Sequence, residues 1–204
     1  MNSVFDPISL SIVLGSYIVG SFPFALLLAR LVSQKDLREH GSGHSGATNV
    51  LRTSGFWAGL IVLGWDIGKG FLVITLAQGW AEGWVLPAAA FAVVAGHCWP
   101  VFAGFKGGMG VATSGGVLLA IWPLAFVIGV GLIAGLTLLL RHAARANLIT
   151  GVSLWLLLLI LGAGPSVVAA AAAVGAIVAV RASLDWNREY RELWLDRSPE
   201  EGNG

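Results

Sequence analysis

Long apolar stretches, separated by short polar segments, run through most of the chain. A stretch of about 20 apolar residues crosses the roughly 30 Å hydrocarbon core of a bilayer as one α-helix. Five such stretches are predicted to be membrane spans, at residues 8–32, 56–77, 84–102, 146–161 and 166–182. A further uncharged run, residues 111–140, would be about 45 Å long as a single helix. Pro123 interrupts this run, so we predict two crossings there and about seven spans in total.

The composition agrees with a membrane-embedded fold. Apolar residues make up 56% of the 204 residues and charged residues only 11%, whereas soluble domains carry about 25% charged residues. The pattern therefore predicts one all-α integral membrane domain, residues 1–204, with no internal linker. Gly64 with Gly68, and Gly131 with Gly135, are predicted to let helices approach closely, because small residues four positions apart favour helix packing in membranes.

The basic residues predict the orientation of the spans. Lysines and arginines follow the first and third spans, the long run and the last span, whereas the alternate connections 78–83, 121–124 and 162–165 contain none. The positive-inside rule then places the basic loops in the cytoplasm and the N-terminus outside. Residues 183–204 become a cytoplasmic C-terminal segment, and residues 181–194 have the spacing of a short amphipathic helix at the interface.

The loop after the first span contains a candidate anion site. Gly41, Gly43 and Gly46 are predicted to expose backbone N–H groups, just before a helix start whose dipole favours anions. The side chains that add hydrogen-bond donors are Ser42, Thr48, Asn49 and Arg52. The arginine fork suits phosphate in particular. The alternative is a polar turn that only connects two helices.

A second glycine-rich loop follows the third span. Lys106 is its only charged residue and is followed by Gly107 and Gly108. Either Lys106 and the glycine amides surround an anion, or the lysine is an anchor that extends to the membrane surface. His97, at the start of this segment, is equally compatible with a catalytic role and with a satisfied interior histidine.

Two ionisable residues lie inside the second span. Asp66 and Lys69 are three residues apart and therefore share one helix face. Charges at membrane depth are costly, so the two are either functional or a structural pair beneath the loops. The single cysteine, Cys98, lies in an apolar run and is predicted to be a buried packing thiol.

Several chemistries have no signal in the sequence. The His and Cys spacings suggest no zinc site, no G-x-S-x-G elbow occurs, and no histidine starts an H-x4-D motif. We therefore predict no metal and no cofactor. There is also no basic tail that would indicate nucleic-acid binding.

Three motifs resemble those of a known family, the bacterial acyl-phosphate-dependent glycerol-3-phosphate 1-acyltransferases. The family's GSGNxGATNVLRTxG is matched by GSGHSGATNVLRTSG at residues 41–55. Its GHxxPxFxxFKGGKGVAT is matched by GHCWPVFAGFKGGMGVAT at residues 96–113, and its D-x-x-K-G by Asp66, Lys69 and Gly70. The resemblance extends over the whole chain.

The resemblance implies a multi-pass enzyme of the bacterial cytoplasmic (inner) membrane, active in phospholipid biosynthesis. It would transfer a fatty acyl group from acyl phosphate to the 1-hydroxyl of glycerol 3-phosphate. Carried over by position, the catalytic residues would be Ser42, Arg52 and Lys106. The substrate-binding residues would be Gly41, Gly43, His44, Gly46, Thr48, Asn49, His97, Gly107, Gly108 and Asn187, the last from a C-terminal motif.

The chain departs from the family pattern at four polar positions. His44 replaces an asparagine, Met109 replaces the second lysine of KGGKG, Ala144 replaces a serine, and Leu184 stands where a histidine is expected. These departures cluster among groups expected around the acceptor. Two alternative hypotheses therefore stay open: a paralogue that uses another phosphorylated or polyol acceptor, and a non-catalytic membrane protein or transporter that binds an anion through the same loops.

Overall fold

The computed structural model describes residues 6–79 and 83–187, and this part of the chain is entirely helical. Its α-helices are α1 (Pro7–Gly20), α2 (Phe24–Ser33), α3 (Ala47–Ser54), α4 (Phe56–Gln78), α5 (Val85–Cys98), α6 (Val111–Ile121), α7 (Pro123–Leu140), α8 (Ala143–Ile160) and α9 (Pro165–Leu184). A short 3-10 turn, Val101–Ala103, follows α5. The predicted all-α fold is confirmed.

Six helical segments of the described chain are long and apolar enough to cross a membrane. They are Pro7–Ser33, Phe56–Gln78, Val85–Ala103, Pro123–Leu140, Ala143–Ile160 and Pro165–Leu184. Helix α6 is apolar but has only 11 residues, so it rises about 16 Å, half of the hydrocarbon thickness. The chain is thus an integral membrane protein, while the count of seven crossings stays a prediction.

The first predicted span is two helices. Helix α1 ends at Gly20, where the N–H of Ser21 donates to the carbonyl oxygen of Tyr17 (2.9 Å). Helix α2 begins at Phe24, directly after Pro23. Proline has no N–H to donate and its ring clashes with the preceding turn, so an unbroken helix across this point is disfavoured.

The break predicted at Pro123 is confirmed. Trp122 is extended (φ −156°, ψ 102°), and Pro123 is the first residue of α7. Helices α6 and α7 then fold back on each other: a Cβ added at Gly115 would lie 3.2 Å from the ring of Phe126. The run therefore forms a helical hairpin with the proline at its tip.

Helices cross closely at glycines, though not at those predicted. A Cβ added at Gly64, Gly68, Gly131 or Gly135 would meet no atom within 4 Å. At Gly151 of α8, in contrast, it would lie 2.6 Å from the carbonyl oxygen of Gly175 on α9. The prediction for the two glycine pairs was wrong, because spacing along one helix does not show which face meets a neighbour.

Three groups of buried apolar side chains hold the helices together. One joins α4, α5, α6 and α9 and includes Cys98, which is fully buried as predicted. A second lies under the α2–α3 connection around Leu37 and Val50. The third packs the α6–α7 hairpin against α8 and α9 around Leu158. A cavity opens among these groups.

Candidate active site

A cavity of about 640 Å³ lies among α3, α4 and α6–α9. Its polar end is lined by Ser42, His44, Gly46, Thr48, Asn49, Arg52, Asp66, His97, Met109, Gly110 and Asp185. Its apolar end is lined by Leu118, Phe126, Gly129, Val130, Ile133, Leu154, Ala171, Val174 and Val178. One continuous space thus joins polar loops to the apolar interior of the helix bundle.

Asn49 determines the conformation of the first glycine-rich loop. Its Nδ2 atom donates to the carbonyl oxygens of Leu37 (3.1 Å), His40 (3.0 Å) and His44 (2.9 Å). Its Oδ1 atom accepts from the backbone N–H of Ser42 (3.0 Å). The amide is buried and committed to the loop, so these bonds favour a loop-shaping role over the predicted contact with substrate.

An ion pair cluster braces the connection that leads into this loop. Asp36 contacts the guanidinium groups of Arg38 (2.6 Å) and Arg30 (2.9 Å). The hydrogen bond from Arg38 is the main reason that the pKa of Asp36 lies well below its ordinary value. The carboxylate therefore stays charged throughout the physiological pH range.

The start of α3 opens onto the cavity. Gly46, Ala47 and Thr48 line it at the helix N-terminus, where backbone N–H groups and the helix dipole favour an anion. Thr48 and Arg52 are four residues apart and share a helix face. Ser42 lines the same corner. The structure therefore brings together these three predicted donors.

Backbone hydrogen bonds hold the second glycine-rich loop against the end of α5. The N–H of Gly107 donates to the carbonyl oxygen of Cys98 (3.2 Å), and the N–H of Gly108 to that of His97 (3.2 Å). These amides are bonded within the protein, so a contact of Gly107 and Gly108 with a substrate phosphate stays a prediction. Ser45 joins the two loops, because its hydroxyl donates to the carbonyl oxygen of Lys106 (3.2 Å).

The Lys106 side chain does not line the cavity. It is exposed at the loop surface, whereas Met109, three residues later, lines the polar end. A catalytic Lys106 thus requires its flexible side chain to turn toward the site, and the assignment stays a prediction.

Beneath the loops lies a buried cluster of three ionisable side chains. Lys69 Nζ is 2.8 Å from Asp66 Oδ1 and 2.7 Å from His97 Nδ1. The exposed fractions of the three residues are only 3% for Asp66, 5% for Lys69 and 7% for His97. The pairing within α4 follows from the sequence spacing, but the contact with His97 of α5 does not.

A second pair closes the polar end. His44 Nε2 lies 3.1 Å from Asp185 Oδ2, and both side chains are largely buried. Asp185 has no signal in the sequence, because nothing along the chain connects the end of α9 with the first loop. Asn187 is exposed and does not line the cavity. The rest of the predicted amphipathic helix, from residue 188, lies outside the described residues.

Several other lining residues carry no sequence signal. The cavity-facing residues of α8 include Asn147, Thr150 and Leu154, which recur at helical spacing on one face. Within the described ranges, no three His, Cys, Asp or Glu side chains are grouped so that they could hold a metal ion.

The chain is similar to proteins of one family. A family model described as glycerol-3-phosphate acyltransferase matches residues 10–191. The chain is 45% identical over 137 residues to glycerol-3-phosphate acyltransferase 1 of Moorella thermoacetica, and the aligned region covers 66% of this chain and 69% of that protein. It is 43% identical over 146 residues to the glycerol-3-phosphate acyltransferase of Bacillus subtilis, and the aligned region covers 71% of this chain and 75% of that protein.

Two solved structures are similar over most of the chain. Both are crystal structures of PlsY (YgiH), described as an integral membrane glycerol 3-phosphate acyltransferase. The glycerol 3-phosphate form has a TM-score of 0.80 and 36% identity, and the similarity covers 89% of this chain and 91% of that one. The lysophosphatidic acid form has a TM-score of 0.78 and 34% identity over the same shares.

Proposed function

The chain belongs to the glycerol-3-phosphate acyltransferase family, and we propose that it transfers a fatty acyl group from acyl phosphate to the 1-hydroxyl of sn-glycerol 3-phosphate. The products are lysophosphatidic acid and inorganic phosphate. This is a step of phospholipid biosynthesis, carried out at the bacterial cytoplasmic membrane. The observation that carries the proposal is the two-part cavity, in which an anion-binding corner continues into an apolar channel.

The apolar end suits a fatty acyl chain. On α7 the lining residues Phe126, Gly129, Val130, Ile133 and Thr137 lie on one helix face. They extend over about 16 Å of helix axis, and residues of α8 and α9 form the opposite wall. An acyl chain placed here is shielded from water while its phosphate end reaches the loops.

The polar end suits the two phosphates. Arg52, Thr48 and the α3 N-terminus supply positive charge and donors where the phosphate of the donor or acceptor would bind. Ser42 supplies a hydroxyl beside them. Lys106 is proposed to stabilise charge that develops on the reacting oxygens. Holding the two substrates side by side would by itself account for much of the rate enhancement.

The proposed step is a direct transfer. The glycerol 1-hydroxyl oxygen attacks the acyl carbonyl carbon, the carbon–oxygen bond to phosphate breaks, and phosphate leaves with the hydroxyl proton. No covalent enzyme intermediate, metal or cofactor takes part.

Three of the four departures from the family pattern, His44, Met109 and Ala144, line the cavity. This favours a second candidate function, in which the acyl acceptor is a different phosphorylated compound or polyol.

The decisive experiment is a transfer assay. Purified protein in detergent micelles receives palmitoyl phosphate with or without glycerol 3-phosphate, and both phosphate and lysophosphatidic acid are measured. We expect phosphate release that depends on the acceptor, with lysophosphatidic acid in equal amount. Folded protein that forms no lysophosphatidic acid but transfers the acyl group to another phosphorylated polyol would support the second candidate.

The assignment of Lys106 is tested in the same assay. We expect the Lys106→Ala variant to lose transfer by on the order of 100-fold, because a charge-assisted contact in the transition state is removed. Lys35→Ala is the matched control, since Lys35 is an exposed lysine in the α2–α3 connection, outside the cavity lining. Full activity of Lys106→Ala would remove Lys106 from the site.

A further inference from the structure

The buried cluster of Asp66, Lys69 and His97 has a consequence for the chemistry of His97. Lys69 lies on α4 behind the cavity wall, whereas Asp66 and His97 both line the cavity. Lys69 Nζ is within hydrogen-bond distance of both: 2.8 Å to Asp66 Oδ1 and 2.7 Å to His97 Nδ1. A third, longer contact of 3.5 Å leads to the carbonyl oxygen of Gly20.

These distances determine where the proton of His97 resides. The Lys69 side chain is a charged ammonium, because a neutral lysine would leave the buried carboxylate of Asp66 without a compensating charge. An ammonium has three donors and no acceptor, so it donates to His97 Nδ1, which must be unprotonated. A neutral imidazole then carries its only proton on Nε2. The 3.4 Å separation of Asp66 Oδ1 and His97 Nδ1 is longer than either contact with Lys69.

The glycine at position 108 leaves space beside Nε2, the other ring nitrogen of His97. The Nε2 edge lies against Gly108, where an added Cβ would be 2.9 Å from His97 Cε1 and 3.2 Å from Cδ2. The N–H of Gly108 donates to the carbonyl oxygen of His97, and Arg181 of α9 donates to the carbonyl oxygen of Gly108 (3.2 Å). Because residue 108 is a glycine, the space beside Nε2, on the side of the ring away from Lys69, is free of the side chain that would fill it.

We propose that Lys69, held by Asp66, is a positioning residue that fixes His97 as the Nε2–H tautomer, so that His97 serves the cavity only as a hydrogen-bond donor to a substrate phosphate oxygen. In this role His97 does not act as the base of the reaction. The identity of the substrate in this inference rests on the proposed function, whereas the tautomer of His97 does not depend on it.

The tautomer is measurable without substrate. In protein labelled with ¹⁵N-histidine, the His97 signals are assigned by their loss in a His97→Gln variant. We expect a neutral ring protonated at Nε2 at neutral pH. A ring protonated at Nδ1, or at both nitrogens, would overturn the proposal.

A double variant tests whether Lys69 is responsible. Asp66→Asn with Lys69→Met removes both charges together, so that no unpaired charge stays buried. We expect His97 to lose its single tautomer and to populate both neutral forms. A His97 that keeps Nε2–H alone in this folded variant would contradict the role of Lys69.

Inorganic phosphate is the probe for the contact itself. Titrating phosphate into the wild-type protein should shift the His97 Nε2 resonance, whereas that of exposed His40 should stay in place. A His97 resonance that phosphate leaves unchanged would overturn the donor role. Both measurements are independent of turnover, so an inactive protein with this tautomer and this shift would refute the proposed reaction and leave the inference standing.

Amide replacements of His97 give the matching kinetic test. Glutamine places its amide near the position of Nε2, and asparagine places it near Nδ1. We expect His97→Asn to lose activity by on the order of 10- to 100-fold, as for a lost hydrogen bond to a charged group, and His97→Gln to lose much less. His40→Asn and His40→Gln are the controls. Equal losses in both His97 variants would contradict the donor role.

Discussion

At the scale of single residues, Asn49 shows how a motif residue acts through its neighbours. Both polar atoms of its amide are bonded to backbone groups of the glycine-rich loop. The sequence motif predicts a polar residue at this position, but a substrate contact and a loop-holding role require the same residue type. The hydrogen-bond partners distinguish the two roles.

Two substitutions of Asn49 should differ sharply. Asn49→Ala leaves buried carbonyl groups without donors, and we expect about 1–3 kcal/mol of lost stability. Asn49→Asp keeps the acceptor for Ser42 but sets a carboxylate oxygen against three carbonyl oxygens, so it should destabilise the protein more. Thermal unfolding in detergent gives the order. Both variants unfolding at the wild-type temperature would contradict the loop-holding role.

The pair of His44 and Asp185 carries a second prediction at this scale. It joins the first loop to the end of α9 at the polar end of the cavity. We expect His44→Ala and Asp185→Asn each to raise KM for glycerol 3-phosphate more than they change kcat. The double variant should be no worse than the poorer single variant, because residues in contact are not additive. Fully additive effects would show that the two residues act separately.

At the scale of elements, the α6–α7 hairpin contributes Leu118 and Phe126 to the lining of the apolar end of the cavity. Leu118 of α6 and Leu154 of α8 line the cavity and also belong to the third apolar group, against which Phe126 packs. Because Phe126 both lines the cavity and packs against this group, we expect its ring to form the floor of the channel. The position of this floor should limit the length of the acyl chain.

Shortening Phe126 should move that limit. Phe126→Ala opens space for further methylenes, and each buried methylene contributes about 0.8 kcal/mol. For stearoyl relative to palmitoyl phosphate, kcat/KM should therefore rise by on the order of 10-fold. Val127→Ala is the control, because Val127 is the next residue and is exposed on the outer side of α7. An unchanged preference in Phe126→Ala would place the floor elsewhere.

At the scale of the whole molecule, the basic loops converge on one face. Ser45 contacts Lys106, Arg181 contacts Gly108, and the Arg145 guanidinium lies 5.2 Å from the centre of the Trp186 ring. This convergence is what the positive-inside rule requires if the α6–α7 hairpin crosses the membrane and returns.

The orientation can be tested by labelling single cysteines in a Cys98→Ala background. A membrane-impermeant maleimide should reach Lys35→Cys only from the cytoplasmic side and Gln78→Cys only from outside. Trp122→Cys, at the hairpin tip, should also react from outside. Labelling of Trp122→Cys from the cytoplasm, or none from either side, would mean that α6 and α7 do not form two crossings.

The class of fold, the break at Pro123 and the loops that line the polar end can all be predicted from the chain alone. These features depend on local properties: the hydropathy of a stretch, the missing N–H of proline, and motifs whose residues lie close together in the chain. Ser42, Thr48 and Arg52 meet at one corner because α3 starts within the motif itself.

Contacts between side chains of distant segments, in contrast, depend on how the helices pack. Lys69 with His97, and His44 with Asp185, are joined by helix packing, which no spacing along the chain encodes. Three further features also depend on tertiary packing: the direction of the Lys106 side chain, the internal hydrogen bonds of the Gly107 and Gly108 amides, and which glycines lie at helix crossings. Each depends on which face of an element meets its neighbour, and that choice is made by the packing of the whole bundle.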